Sequence, residues 1–380
     1  MKGFVSGHAF KCRQGGGLDA PYRRWGSQPR RESLIRTYNL CFLGFGNVNR
    51  TLVELLRNRE QELRERYEIS FRITGVASRR LGWIADAGGL DTSILGSLST
   101  DSAAGISRKG VSAPHNRTPS EVRTWVAAAL ADVLFEATSL NIDSGQPAVE
   151  HIRAALTHGA HAITANKGPI VYAYHELRNL AASRKKRFLF ESTVMDGTPI
   201  FSLFDQLPAI HLQGFHGILN STTNVILSEM EQGLAFDDAL KKAQALGIAE
   251  TDATYDIDGW DAAVKTAALI TVLMNIPINV NEIERAGIGG LGGEVVRAAR
   301  KEGHPYKLVC RAKKTKKGVT ASVRPEQIPL TDPMAQIGGT SSYVYFETDI
   351  FPGLAMTEEN PGLYATAYGM LADFVRAATS

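Results

Sequence analysis

Tyr38-Asn39-Leu40-Cys41-Phe42-Leu43-Gly44-Phe45-Gly46-Asn47-Val48-Asn49 is the stretch on which the architecture turns. A short apolar run meets two glycines one residue apart, and an amphipathic pattern then extends from Val48 to about Arg66. That order predicts strand, glycine turn, helix. A second run, Ile69 to Ala77, alternates in polarity and ends in Ser78-Arg79-Arg80, completing a βαβ unit. Glycines at such a turn let the backbone approach a pyrophosphate, while unpaired N–H groups at the helix start attract its charge. Gly44, Phe45, Gly46, Asn47 and Val48 are therefore candidate cofactor contacts. The fingerprint is incomplete, because Asn49 stands where a third glycine is usual, and a bland structural turn is the competing reading. At the end of the second strand a NAD enzyme usually places a carboxylate, whereas this chain offers Arg79 and Arg80. Guanidinium groups suit a 2′-phosphate, so NADP(H) is expected over NAD(H); otherwise these arginines merely solvate a loop.

Outward from that unit the rhythm continues. Residues 82–117, rich in Gly, Ser, Ala and Thr, read as a surface excursion. Thr118-Pro119-Ser120-Glu121 then starts a helix. Short strands at Asp132 to Ala137, His161 to Ala165 and Arg187 to Phe190 alternate with helices at Pro147 to Leu156 and Pro169 to Ser183. The pattern predicts an α/β fold with a Rossmann-like, doubly wound parallel sheet over residues 37–190. After Glu191 the pattern changes. His211 to Leu219, Lys307 to Lys313, Val319 to Val323 and Tyr343 to Glu347 look like strands. Thr222 to Glu231, Phe236 to Leu246 and Asp261 to Met274 look helical. A second α+β domain for substrate and dimerisation is expected over residues 191–350, and a C-terminal helix within 351–380 is expected to return to the first domain.

The chain has 380 residues, 44% of them hydrophobic and 21% charged, which suits a globular protein with a sizeable core. No run approaches the roughly 20 apolar residues that span a bilayer, so no membrane partner is expected. The net charge of +3 is uneven: residues 1–36 hold eight Lys/Arg against Asp19 and Glu32. A transit peptide or a nucleic-acid arm is one reading of this tail. With Gly15-Gly16-Gly17, Pro29 and no amphipathic period, a disordered extension is preferred, and no nucleic-acid partner is expected. Cys12, Cys41 and Cys310 lack metal-ligand spacing and read as thiols in a reducing, cytoplasmic setting.

Most of the chemical information lies in Gly247 to Lys265, where Glu250, Asp252, Asp256, Asp258 and Asp261 precede one lysine. Asp261 and Lys265 are four apart and share a helix face that is apolar beyond them. No charged residue follows until Glu282, so the pair is expected to be partly buried. Burial lowers a lysine's pKa while a carboxylate counters the shift, and such a lysine can move a proton. An ordinary i,i+4 salt bridge is the alternative. Lys167, before Gly168-Pro169 at the end of a strand, would lie at the carboxyl edge of the sheet, where doubly wound folds bind ligands.

With these residues the chain resembles homoserine dehydrogenase. The resemblance runs from about Tyr38 to near Leu291. It is carried by Thr164-Ala165-Asn166-Lys167, Glu191-Ser192-Thr193-Val194-Met195-Asp196-Gly197, Gly217-Ile218-Leu219-Asn220-Ser221-Thr222-Thr223-Asn224, and the spacing Glu250, Asp256, Asp261, Lys265. It implies that Lys265 is the acid/base lysine and Lys167 the second lysine, near cofactor and substrate. Glu250, Asp256, Asp261, Ser221 and Thr222 would bind substrate, with Thr138, Ser139 and Gly362 completing the cofactor set. It also implies a structural Na+ or K+ held mainly by backbone carbonyls of Glu191, Val194, Asp196 and Thr198, and a homodimer joined through the second domain. Ser221 replaces a common glycine, Ala253 a common proline and Asp196 a small residue. Too few residues follow the second domain for the family's optional ACT regulatory domain.

The expected reaction is NADP(H)-dependent interconversion of L-homoserine and L-aspartate 4-semialdehyde, in threonine, methionine and isoleucine biosynthesis. Two other readings compete. A phosphorylating semialdehyde dehydrogenase needs a cysteine nucleophile, and Cys41 and Cys310 sit within strand-like runs. A non-catalytic NADP-binding protein is the third.

Overall fold

The computed structural model describes residues 35–91, 95 and 119–379. The expected extension at 1–36 lies outside them apart from its last two residues, as do Cys12, Thr118 and most of the 82–117 excursion.

The first sheet follows from the apolar strands. β1 (Arg36–Leu43) is buried from Asn39 onward, as is Tyr38, with no polar alternation, the mark of a strand covered on both faces. It is followed by α1 (Asn47–Asn58), α2 (Glu60–Tyr67), β2 (Ile69–Ser78) and β3 (Gly82–Ala85). Then come α3 (Pro119–Ala128), β4 (Val133–Glu136), α4 (Ala148–His158), β5 (His161–Thr164), α5 (Gly168–Ser183) and β6 (Phe188–Leu189). The spatial order is β3-β2-β1-β4-β5-β6, parallel except for β3, which pairs antiparallel with β2. One face packs Tyr38, Leu40, Phe42 and Phe135 on α1 and the C-terminal helix, and the other packs Cys41, Leu43 and Leu134 on Trp125 and Ile152.

Two local expectations change. The amphipathic run after the glycine turn is two helices, because Arg59 leaves helical geometry (φ −108°, ψ 8°). The excursion after β2 begins with β3, whose Trp83 is buried against Trp125 at 5.3 Å between ring centroids.

Beyond residue 190 lie α6 (Ile200–Asp205), β7 (Leu212–Ile218), α7 (Ser221–Glu231), α8 (Phe236–Ala245), the single turn α9 (Thr254–Ile257) and α10 (Trp260–Leu269). These lead to β8 (Glu284–Arg285), α11 (Gly293–Lys301), β9 (Tyr306–Thr315), β10 (Gly318–Gln327), β11 (Ser342–Thr348), β12 (Leu354–Glu358) and α12 (Leu363–Ala378). The second sheet has the order β12-β11-β7-β9-β10-β8, antiparallel except for the two-residue β8. α7, α10 and α11 cover one of its faces. The apolar helix expected through Met274 is α-helical to Leu269 and continues as a π-turn, Ile270–Met274, ended by Asn275 in the left-handed region. α12 returns to the first sheet, with Phe374 edge-on to Tyr38 and Phe135. The fold is thus a mixed α/β arrangement of a Rossmann-like doubly wound sheet and a second, mostly antiparallel sheet with its covering helices.

Candidate active site

Gly44 ends β1 with φ +80°, and a Cβ there would lie 2.5 Å from the carbonyl oxygen of Ala137 and 2.7 Å from Thr138 N. Only glycine lets the turn press on the end of β4. Among the described residues, a Cβ over Gly46 would meet nothing within 4 Å, and the first N–H groups of α1 have no side-chain cap. The N–H groups of Gly44, Phe45 and Gly46 are already bonded, to the carbonyls of Ala77 and Gly44, so it is the open start of α1 that fits a pyrophosphate. Asn49 is fully buried and its Nδ2 donates to the carbonyls of Leu43 and Gly44 at 3.2 and 3.1 Å. It ties helix to strand by hydrogen bonds, where a third glycine would do so by close approach. The Phe45 side chain belongs to the core, edge-on to Phe42, and its N–H donates to the carbonyl of Ala77 at 3.2 Å. Asn47 is exposed and Val48 partly buried at the helix start. Arg79 and Arg80 are exposed in the turn between β2 and β3.

From the glycine turn a continuous set of contacts leads to the lysines. Thr138 lies against Gly44, and Asn166 Nδ2 donates to the carbonyls of Thr138 and Ser139 at 3.0 and 3.4 Å. Lys167 follows as the N-cap of α5, and its Nζ lies 3.2 Å from Asp261 Oδ1. Asp261 Oδ2 lies 3.1 Å from Lys265 Nζ, as the i,i+4 spacing on α10 requires. Lys265 Nζ also donates to the carbonyl of Leu219 at 2.6 Å. The three side chains are only 14–18% exposed. Asp261 thus bridges two ammonium groups supplied by different domains.

Asn220 organises the acidic side. Its Nδ2 donates to Asp256 Oδ1 at 2.7 Å and to Asp261 Oδ2 at 3.1 Å, while its Oδ1 accepts from Thr223 N, capping α7. Thr222 donates to the carbonyl of Ile248 and Ser221 to that of Thr340. Glu250 is exposed, and its carboxylate makes no hydrogen bond or ion pair among the described residues. Tyr255, like Asn220, is a neighbour that sequence reasoning missed: its buried hydroxyl has no partner among the described residues, and burial, then Asp261, push its pKa up.

The charges settle in opposite directions. Burial pushes Asp261 up, but Lys265, Lys167 and the Asn220 amide outweigh it and hold the carboxyl below the usual range. Burial works to lower Lys265, but Asp261, Asp196 and Asp256 overcome it, so its pKa is raised. Asp256 is raised, by burial and then by the charge of Asp261. The site therefore holds a firmly protonated Lys265.

Glu191 is buried, and its carboxylate accepts from Phe201 N and Ser202 N, capping α6. Val194 is buried. Asp196 has φ +43° and accepts from the Thr366 hydroxyl, and Thr198 N donates to Met195. Among the described residues no three His, Cys, Asp or Glu side chains group as metal ligands. Gly362 is the N-cap of α12 with open space at its Cβ position. A cleft of about 700 Å³ elsewhere, between α5, β6 and α6, contains none of Lys167, Asp261 or Lys265.

Fold and site define an NAD(P)-dependent oxidoreductase acting on CH–OH groups. Residues 44–191 match the family model described as the homoserine dehydrogenase NAD binding domain, and residues 199–375 match that described as homoserine dehydrogenase. The chain belongs to the homoserine dehydrogenase family. The NAD(+)-dependent homoserine dehydrogenase of Pseudomonas canavaninivorans is 34% identical, over 89% of this chain and 95% of that protein. The enzyme of Methanocaldococcus jannaschii is 31% identical over 89% and 97%. Among solved structures, a homoserine dehydrogenase from Thiobacillus denitrificans has TM-score 0.74 and 29% identity, covering 90% of this chain and 74% of that one. A hyperthermophilic archaeal homoserine dehydrogenase mutant in complex with NADPH has TM-score 0.73 and 26% identity, covering 90% and 98%.

Proposed function

We propose that the chain interconverts L-homoserine and L-aspartate 4-semialdehyde with NADP(H), in the pathway to threonine, methionine and isoleucine. The observation that carries the chemistry is Asp261 bridging Lys265 and Lys167 at 3.1 and 3.2 Å beside the end of β5. When bound, the nicotinamide supplies or accepts the hydride. Lys265 donates a proton to the substrate oxygen as the aldehyde is reduced and recovers it when homoserine is oxidised. Lys167 stands between cofactor and substrate. Asp261, Asp256 and, by the family pattern, Glu250 hold the substrate ammonium, with Ser221 and Thr222 beside it.

Residues 37–190 with the returning helix would hold the cofactor on Gly44 to Val48, Thr138, Ser139 and Gly362, and residues 191–350 would serve substrate and dimer. A homodimer through the second domain follows the family pattern, as does a Na+ or K+ on carbonyls of Glu191, Val194, Asp196 and Thr198. Cys41 and Cys310 are free and buried, which suits a reducing cytoplasm.

The NADP preference is supported by Arg79 and Arg80, exposed at the end of β2 with no ion pair among the described residues. The archaeal relative held NADPH. The Pseudomonas relative, described as NAD(+)-dependent, makes the opposite case. Absorbance at 340 nm with homoserine and each cofactor decides. A kcat/KM for NADP at least about tenfold above that for NAD, lost in Arg79→Ala/Arg80→Ala, is expected. Clear NAD preference removes the arginine argument, and no homoserine-dependent turnover removes the reading altogether.

A further inference from the structure

We propose that Glu136, which lies outside the lysine cluster, is a positioning residue for hydride transfer, locking the loops after β4 and β5 into one rigid edge beside Lys167. Its side chain is fully buried at the end of β4. Oε1 accepts from Thr138 N at 3.0 Å and from the Thr138 hydroxyl, and Oε2 accepts from Thr164 Oγ1 at 2.7 Å. Thr164 Oγ1 in turn accepts from Asn166 N at 2.9 Å, and Asn166 returns to the first loop through the Thr138 carbonyl at 3.0 Å. The ring of bonds is closed. Asn166 Oδ1 also accepts from Gly168 N at 2.9 Å, so the backbone on either side of Lys167 is held by the same residue.

A carboxylate is a costly group to place here. Among the described residues the nearest basic side chain is His151, with Nδ1 3.6 Å from Oε1, and neither ring nitrogen of His151 has a hydrogen-bond partner among them. A buried charge without a close cation is a poor source of stability. What the carboxylate offers is two acceptor oxygens aimed at donors from two loops. Glutamine of the same size offers one acceptor and turns N–H donors towards the other set. The edge it fixes touches the glycine turn on one side, through Gly44 against Ala137 and Thr138, and the Lys167–Asp261 pair on the other. A shift of the edge would therefore move cofactor and lysine relative to each other, and misplacement by about 1 Å can cost on the order of a hundredfold in rate.

This inference rests on the reading that hydride passes at that edge. The test uses the full chain and compares wild type with Glu136→Gln, Thr164→Val and the double variant. It measures the hydride-transfer rate constant by stopped flow, burst amplitude, cofactor Kd and homoserine KM. The expected result is a rate constant lowered at least roughly tenfold in each single variant, with amplitude per folded enzyme, Kd and KM kept within about threefold. The double variant should lose little beyond the worse single one, since both break the same bond. A smaller fall in the rate constant, or a loss confined to amplitude or cofactor Kd, overturns the proposal. Should Glu136→Gln not fold, Thr164→Val, which removes one hydroxyl, decides by the same criteria. A wild type without homoserine turnover would sink the functional reading and this inference with it, whereas an active wild type indifferent to both substitutions sinks this inference alone.

Discussion

Lys265 is held in its charged form because the carboxylates around it outweigh its burial. An ammonium is the form that protonates a nascent alkoxide, which on the proposed reading suits the free site to aldehyde reduction. Replacing it, as in Lys265→Ala, should lower kcat by about two orders of magnitude or more with cofactor binding retained, measured by steady-state turnover and calorimetric titration. Near-normal turnover would refute the assignment. Oxidation needs the proton removed, so homoserine oxidation should climb from neutral pH to beyond the ordinary lysine range, while reduction stays level through neutrality. In Asp261→Asn the main force opposing desolvation of Lys265 is gone, its pKa falls, and the rising limb of the oxidative profile should move to lower pH. A limb that stays or moves up would contradict this account. The lysine and aspartate were legible because four-residue spacing on an apolar helix defines one face. Asn220 and the Leu219 carbonyl were not, because they arrive from β7 and α7, and linear spacing carries no signal for residues brought together by a crossover. Asn220 did leave a trace as an asparagine three residues before a threonine at a helix start. The burial argument alone had Lys265 pulled down; the three neighbouring aspartates reverse the sign.

Among the elements, the parallel strands and their helices were readable because a strand buried on both faces shows as a continuous apolar run. β3 was hidden inside a Gly- and Ser-rich stretch, and its anchor, Trp83 on Trp125, joins residues too distant for local periodicity to connect. The break between α1 and α2 was equally silent, since Arg59 is an ordinary helix former whose backbone alone departs. The glycine turn permits a sharper expectation. Gly44→Ala places a methyl group 2.5 Å from the Ala137 carbonyl at φ +80°, so β1 and β4 must separate or the turn must change shape. Backbone strain of this kind costs on the order of 1–3 kcal/mol before the clash is counted. Titration calorimetry should show cofactor affinity weakened at least about tenfold, and wild-type affinity would mean that the turn does not touch the cofactor.

At the scale of the molecule, α12 fastens the chain's return to the first sheet, and it does so with buried charge. Asp373 is 1% exposed; its Oδ2 accepts from Glu191 N at 2.8 Å, and Arg376 reaches Asp373, Glu191 and Asp205 at 3.2, 3.3 and 2.7 Å. One guanidinium serves three carboxylates, two of them buried. Burial first, and the charge of Glu191 second, push the Asp373 carboxyl up to about 7. Its folded pKa thus lies above the unfolded one, so its contribution to stability is fully present below about pH 4 and is lost as pH rises through about 7. Asp373→Asn keeps an acceptor for Glu191 N and removes the titration. Between about pH 6 and pH 9 the wild-type Tm should therefore fall more steeply than that of the variant, by a difference on the order of 1–3 kcal/mol in stability at the alkaline end. Calorimetric scans across that range check it, and parallel curves would show that Asp373 is not the group whose ionisation loosens the helix.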